Sequence, residues 1–442
     1  MGGGYAAFGE RFDPGYAARD YEAAKREYIA LGLPWTAKDL APSAPIRPEE
    51  DATPILRNIA EQWDDKKFAN ALTKVQPEDA DALARLRPLD VILDTSSVIQ
   101  KKTRLYVSRD YDLGPDLLMP EYAKWKGAVK TYCFRAQARA DAGDREGMID
   151  DLRSALSFGP LLAQEPALIG HFVAVAVDAT AYDSARRIAA QHPEWASLIS
   201  DNVPDHGRFS PQRALRGETY LMIATARNLE RYGGLRELVR TSDEFHGSVY
   251  EKENSSQMRR DGDPSGRVAR SQLAGILRFY SLIERELAQE NARLINVSRT
   301  GASFVENLTK TRRASSLLLE TMSPVYEQAF NVYDRNVTDF RLTRTYLKLV
   351  SRKDNLPKSG WVPADKDGWG QPLIYKREGA GFRLYSVGAN GKDEGGLTAK
   401  EKFKNAKRSG VVSWHQKRSD SDDVAVVYPP FRVSGEPAPL ID

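Results

Sequence analysis

The sequence predicts an α+β protein, in which a mainly α-helical bundle is followed by a small C-terminal antiparallel β-module. Between about residues 120 and 350, apolar side chains recur at helical spacing, and glycine or proline interrupts each run. After Leu356, glycines and prolines become frequent, and short runs alternate with the period of a strand. These patterns divide the chain into residues 1–54, a helical bundle over 55–337 and the β-module over 338–442.

The composition limits the classes of function. The 442 residues carry 64 Lys and Arg against 61 Asp and Glu, and this near balance does not favour non-specific nucleic-acid binding along the whole chain. We also find no motif that reads a nucleic-acid groove, so no sequence-specific nucleic-acid binding is expected. The single cysteine, Cys133, excludes an intrachain disulfide and a cysteine-based metal site, and we expect a buried, inert thiol.

Neither a signal peptide nor a membrane span is predicted. The sequence as written begins without a cationic segment or an apolar run of signal-peptide length. The longest apolar stretch, at residues 167–177, is much shorter than the ~20 residues that a membrane-spanning helix needs.

The N-terminal part is predicted to hold one helix that ends at Gly32 and Pro34. The five prolines between residues 34 and 54 then favour an extended segment. An amphipathic helical pattern returns over 55–87. The run from Leu89 to Ser97 is strand-like, although its pattern is ambiguous.

Two helices with a short break between them are predicted at about 121–160, one over 121–141 and one over 145–158. Residues 143–160 resemble the second half of a tetratricopeptide helical hairpin, in which small residues such as Gly147 and Ala155 let two helices approach closely. Because a solenoid needs about three such units and we find one, a lone helical hairpin inside a larger bundle is expected.

Three further helix starts are indicated by proline. Pro166 fits the first turn of a helix that runs to about His192. Ser210–Pro211 and Ser323–Pro324 each combine a capping residue with a proline at the first helical position.

The β-module is predicted to contain three strands. They lie at residues 372–375, 382–387 and 424–428, and a hairpin loop is expected over 376–381.

Three motifs follow one another in this module: Asp367-Gly-Trp-Gly-Gln-Pro-Leu-Ile-Tyr, then Gly381-Phe-Arg-Leu-Tyr-Ser-Val-Gly-Ala-Asn-Gly-Lys-Asp-Glu-Gly-Gly, then Asp422-Asp423-Val. They resemble the C-terminal β-module of the major pseudopilins of type II secretion systems, and the resemblance covers about residues 340–430. It implies a loop that binds Ca²⁺ through carbonyl and carboxylate oxygens. The residues at the matching positions are Val387, Asn390, Asp422 and Asp423, and Asp393 is an additional candidate ligand. Asn390 is neutral where the family has an aspartate, so weak Ca²⁺ binding is expected.

The chain departs from the pseudopilin pattern in two ways. It lacks the long apolar N-terminal helix that builds a pilus filament, so filament assembly is not favoured. The resemblance still implies an extracytoplasmic location, in the periplasm or at the cell surface. The chain also contains a basic insertion, at about 397–421. Within residues 399–418 of this insertion, seven Lys or Arg accompany one acidic residue. This composition indicates either a solvated loop or a docking loop for an anionic partner, with the contacts made by Lys400, Lys402, Lys404, Lys407, Arg408 and Trp414.

The standard catalytic signatures for hydrolases, metalloproteases and nucleotide-binding enzymes are absent from the sequence. His171 and Asp178 share one helix face about 10 Å apart, too far for a direct bond, and we expect both to be satisfied structurally inside the bundle. The sequence therefore favours a non-enzymatic envelope protein that acts as an interaction or assembly scaffold through protein partners or self-assembly. Such a protein could be related to secretion or pili, or be a subunit of a larger complex. The alternative is a hydrolase whose paired carboxylates leave no local motif.

Overall fold

The computed structural model describes residues 15–63, 76–77, 79–203, 211–228, 267–289, 292–311, 317–358, 360–397, 401 and 423–429. These residues form eleven α-helices and one three-stranded antiparallel sheet, which confirms the predicted α+β class. The helices are α1 (Tyr16–Ala30), α2 (Thr53–Gln62), α3 (Ala82–Ser96), α4 (Glu121–Asp141), α5 (Arg145–Leu162), α6 (Leu168–Gln191), α7 (Ala196–Asn202), α8 (Gln212–Arg227), α9 (Arg267–Leu287), α10 (Leu294–Thr311) and α11 (Leu317–Val350). The strands are β1 (Ile374–Glu378), β2 (Gly381–Ser386) and β3 (Val424–Tyr428). Short 3₁₀ turns lie at Ala37–Leu40, Ser97–Lys101, Tyr111–Asp116, Pro193–Trp195 and Lys353–Asn355.

The buried apolar side chains form two main clusters. The first combines α2 to α7 with the C-terminal half of α11 and the sheet, and Trp125 and Tyr346 are among its large side chains. The second combines α1, α8, α9 and α10 with the N-terminal half of α11, and it includes Tyr28 and Phe279. The 34-residue helix α11 therefore contributes to both cores, and residue 337, the predicted end of the bundle, lies inside it.

The predicted helical hairpin corresponds to α4 and α5, which pack against each other. Gly143 adopts a positive φ of 78° in the turn between them, and the side chain of Asp144 caps α5 by accepting the Gly147 N–H at 2.9 Å. A Cβ atom at Gly147 would lie 2.2 Å from the Asp144 carboxylate and 2.9 Å from the side chain of Arg139 in α4. Glycine at this position therefore lets the Asp144 cap and the Arg139 side chain lie close to the start of α5.

Three local predictions in the helical region are wrong. Pro166 lies before α6 and not in its first turn, because this helix begins at Leu168. The strand-like run beginning at Leu89 is part of α3, because Leu86, Leu89 and Leu93 fall on one buried face at helical spacing. Ser323–Pro324 does not begin a helix, because α11 already starts at Leu317 and continues through the proline. Among the described residues, no helix is both long enough and apolar enough to cross a membrane.

The sheet has the strand order β1-β2-β3, with Tyr375 opposite Leu384 and Leu384 opposite Val426. The first hairpin turn is shorter than predicted, because β1 continues to Glu378. The central strand β2 is buried along its whole length, where the sequence predicted alternation. Its second face is covered by the loop that follows it.

Candidate functional site

The turn that precedes β1 is organised by the buried carboxylate of Asp367. Its Oδ1 accepts the Gln371 N–H at 2.7 Å, and its Oδ2 accepts the Ser386 hydroxyl at 2.6 Å. Burial raises the pKa of Asp367, while the hydrogen bonds from Ser386 and the turn amides oppose that increase. Asp367 therefore joins the turn to the end of β2.

The same turn docks the β-module onto α11. A Cβ atom at Gly368 would lie only 2.0 Å from the carbonyl oxygen of Asp334, so only glycine allows this approach. The Gly368 N–H donates to the Thr338 hydroxyl at 2.9 Å. Arg341 donates to the Asp367 carbonyl oxygen at 2.8 Å. The glycine and aspartate of the first motif thus have clear structural roles.

The loop over residues 387–397 is held by Asp423, which lies immediately before β3. The Asp423 Oδ2 accepts the N–H groups of Glu394 at 3.1 Å and Gly396 at 2.7 Å. Gly396 has a positive φ of 66°, and a Cβ atom there would lie 2.4 Å from the ring of Tyr385. The distal acid of the third motif therefore pins the loop against β2.

The two exposed candidate ligands of this loop, Asn390 and Asp393, bond to neighbouring groups. The Asn390 Oδ1 accepts the Lys392 N–H at 2.7 Å. The Asp393 Oδ1 accepts the Tyr385 hydroxyl and the Gly395 N–H, each at 2.9 Å. Hydrogen bonding by Gly395 is the largest influence on the Asp393 carboxyl, and its pKa lies below its usual range.

A lysine lies beside the carboxylate of Asp393. The Lys376 Nζ lies 3.8 Å from the Asp393 Oδ2 and 4.8 Å from the centre of the Tyr385 ring. Within the described ranges, no three His, Cys, Asp or Glu side chains form a group that could hold a metal ion. The described side chains of the loop therefore do not form a complete set of cation ligands.

The structure thus brings Val387, Asn390, Asp393 and Asp423 into or against one loop, with Val387 buried at its start. The fifth predicted ligand, Asp422, lies outside the described residues. The predicted docking contacts of the basic insertion also lie outside them: Lys400, Lys402, Lys404, Lys407, Arg408 and Trp414.

Sequence reasoning missed Arg383, which anchors the start of the insertion. Its guanidinium group donates to both carboxylate oxygens of Glu401 at 2.8 Å, to Glu378 at 2.8 Å and to the Gly396 carbonyl oxygen at 2.7 Å. A bidentate pair of this kind fixes orientation as well as distance. The available signal was an arginine among apolar residues of a central strand, where a buried charge requires partners.

His171 and Asp178 belong to α6, contact residues of α11 and are almost completely buried. His171 stacks on Tyr333 with the ring centroids 5.4 Å apart. The Asp178 Oδ2 accepts the Asn336 Nδ2–H at 3.2 Å, whereas its Oδ1 has no hydrogen-bond partner among the described residues. Burial raises the pKa of Asp178 to about 8. Asp178 is therefore only half satisfied as a carboxylate, in contrast to the sequence-based expectation.

Cys133 is buried as predicted. It lies in α4, and burial raises the pKa of its thiol to about 12. Because the thiolate is the reactive form, this environment favours an inert side chain.

Comparisons with protein-family models, curated proteins and solved structures gave no match for this chain. The resemblance to pseudopilins and to the tetratricopeptide hairpin therefore continues to depend on the motif residues themselves.

Proposed function

We propose that the protein is a non-enzymatic interaction or assembly scaffold outside the cytoplasm, in the periplasm or at the cell surface, related to secretion or pili or part of a larger complex. The observation that carries this proposal is the attachment of the β-module to α11 through Gly368, which leaves no room for a side chain. Because α11 also packs into both cores, the module is presented as a rigid part of the bundle. The extracytoplasmic address depends on the pseudopilin resemblance.

The roles of the carboxylates support a scaffold over the hydrolase alternative. Asp367 and Asp423 accept loop N–H groups, Asp151 is paired with Arg135, and Glu165 is paired with Arg109. Asp178 has the raised pKa of a general acid, but its complete burial keeps it from a substrate. These acids stabilise the fold in the arrangement described here.

Partner docking would be the role of the basic insertion, whose two ends are tied to the module. Arg383 binds Glu401 at the first end, and Asp423 binds the loop amides at the second. Deletion of residues 402–418 keeps both anchors, so we expect the core to fold and the melting temperature to stay close to that of the wild type.

The test compares proteins that co-purify from the envelope fraction of the native host with the wild type and with the deletion variant. We expect defined partners, or larger assemblies of the protein itself, that are lost with the deletion and weakened by salt. A wild-type protein that stays monomeric, recovers no partner and hydrolyses a substrate would contradict the scaffold proposal.

The second part of the proposal is weak Ca²⁺ binding at the loop over 387–397. We expect Asn390→Asp to tighten binding by adding a ligand charge, and Lys376→Gln to tighten it by removing the cation beside Asp393. Isothermal titration calorimetry measures both effects. Lys38→Gln serves as the matched control because Lys38 is exposed on a distant turn. The absence of binding heat at millimolar Ca²⁺ in wild type and both variants would rule the site out.

A further inference from the structure

Two adjacent apolar side chains face solvent in the segment between α11 and β1. Trp361 is 38% exposed and Val362 is 65% exposed. The Trp361 ring packs edge-on against Tyr375 with 5.4 Å between the ring centroids, and the Tyr375 hydroxyl donates to the Pro357 carbonyl oxygen at 3.0 Å. The sheet therefore holds this apolar pair in a defined position.

A tight turn leads into the pair. The Trp361 N–H donates to the Lys358 carbonyl oxygen at 3.2 Å, and Gly360 adopts a positive φ of 88°. This turn places a lysine and a tryptophan at adjoining positions of one exposed feature. We refer to residues 358 and 360–362 as the Trp–Val turn.

Exposed cations precede and follow the Trp–Val turn. Within the part of the chain that the structure describes, none of the following five makes an ion pair: Lys348, Arg352, Lys353, Lys358 and Lys366. Asp365 lies 3.8 Å from Arg344 and is thereby compensated. Asp354, the other carboxylate of residues 348–366, is exposed and makes no ion pair with a described residue. The segment has an uncompensated positive charge beside an apolar tip.

We propose that residues 348–366 bind the surface of an anionic lipid bilayer, with Trp361 and Val362 entering the headgroup region and the cations facing lipid phosphates. Tryptophan is enriched at membrane interfaces because its ring is amphipathic. Clusters of Lys and Arg are attracted by anionic leaflets. This inference does not depend on the proposed scaffold function.

The identity of the cations favours a lipid surface over an acidic protein. Four of the five are lysines, which are compact point charges on flexible side chains. A protein carboxylate is recognised best by the planar fork of arginine, as Arg383 does with Glu401 in this chain. A lipid surface offers many phosphates without fixed geometry, which lysines suit.

The experiment measures co-sedimentation of the full chain with vesicles of phosphatidylglycerol and phosphatidylcholine, and with vesicles of phosphatidylcholine alone. We expect binding to the anionic vesicles only, with weakening at high salt. The double variant Lys353→Gln/Lys358→Gln should lose on the order of fivefold in affinity for each lysine removed. The double variant Trp361→Ala/Val362→Ser should also bind more weakly.

Matched variants carry the same chemical changes elsewhere on the surface. Lys38→Gln/Lys101→Gln removes two exposed lysines, and Val91→Ser removes a valine that is 71% exposed on α3. These variants should bind as the wild type does. If they lose as much affinity as the variants of residues 348–366, vesicle binding reflects overall charge and the proposal is wrong.

Fluorescence tests the insertion of the tryptophan directly. Vesicles with brominated acyl chains should quench wild-type tryptophan emission, and Trp361→Phe should abolish that added quenching while the other six tryptophans remain. Unchanged quenching in Trp361→Phe would show that another part of the chain, such as the basic insertion, contacts the lipid. The proposal would then be wrong. A wild type that ignores anionic vesicles but binds polyglutamate would overturn the lipid assignment in favour of an acidic protein.

Discussion

Asp367 in the β-module and Asp178 in α6 have no exposed surface, but their carboxyl groups accept different numbers of hydrogen bonds. Asp367 receives a backbone N–H on one oxygen and the Ser386 hydroxyl on the other. Asp178 receives one N–H, from Asn336, and its other oxygen has no donor among the described residues. Burial raises the pKa of both, and only for Asp178 does it rise to about 8.

Desolvation is the largest cause of the raised pKa at both sites, and the donors around Asp367 oppose it more strongly than the single donor at Asp178 does. At neutral pH we expect Asp178 to carry a proton. Asp367 instead accepts hydrogen bonds from the Gln371 N–H and the Ser386 hydroxyl. The Asn336 Oδ1 likewise has no hydrogen-bond partner among the residues that the structure describes. The nearby Asp339 further disfavours a charge on Asp178.

The largest expected effect is the pH dependence that Asp178 imposes on stability. Between its unfolded pKa near 4 and its folded pKa of about 8, the folded state binds one more proton, so the unfolding free energy falls as pH rises. Asp178→Asn removes this dependence. From pH 5 to pH 8, the wild type should lose up to about 4 kcal/mol relative to the variant, measured by urea denaturation.

His171 works in the opposite direction and must be separated from Asp178. Burial lowers its pKa to about 4, so stability rises with pH between about 4 and 6.5. Because both proteins retain His171, its contribution cancels in the difference between wild type and Asp178→Asn. Parallel stability curves for the two proteins would show that Asp178 is ionised when folded.

The next largest effect should come from Asp367→Ala, which leaves the Gln371 N–H and the Ser386 hydroxyl without their acceptor. We expect a loss of roughly 3 kcal/mol in unfolding free energy, because two donors inside the module lose their acceptor. Asp201→Ala, at an exposed position of α7, should change stability by less than about 0.5 kcal/mol. Equal losses of stability in the two variants would contradict a stabilising role of Asp367 in this turn.

The smallest expected effect tests the close approach of Gly159 to Asp178. A Cβ atom at Gly159 of α5 would lie 1.8 Å from the Asp178 Oδ1. Gly159→Ala should therefore destabilise the protein by about 1–2 kcal/mol, although alanine is the better helix former by about 1 kcal/mol. In an Asp178→Ala background, the same change should become neutral or stabilising. A double-mutant cycle by thermal denaturation gives this coupling, and independent effects would contradict the contact.

The change from a helical to a strand period was sufficient to predict the α+β class and the positions of β2 and β3, whereas β1 begins two residues and ends three residues later than predicted. It failed at Leu89, because a short apolar run fits a strand or a buried helix equally well. It failed at Pro324, because a proline can be tolerated within a helix that packs along its length. Tertiary packing decided both cases.

The candidate loop was predictable only in part. The motif brought Asn390, Asp393 and Asp423 together, but the sequence did not reveal that Lys376 lies beside Asp393. Nor did it reveal that β2 is buried on both faces. The loop that follows β2 covers Tyr385, and Arg383 is buried through its ion pairs with two acids. These contacts depend on how strand, loop and insertion fold over each other, which no local pattern contains.

The helix α11 has a mechanical consequence. Its 34 residues span about 50 Å, and both halves are buried, each in a different core. Because the module is docked directly onto α11 at Gly368, a pull on the sheet is transmitted along this helix into the second core. Under force, the bundle and the β-module should yield together in one event.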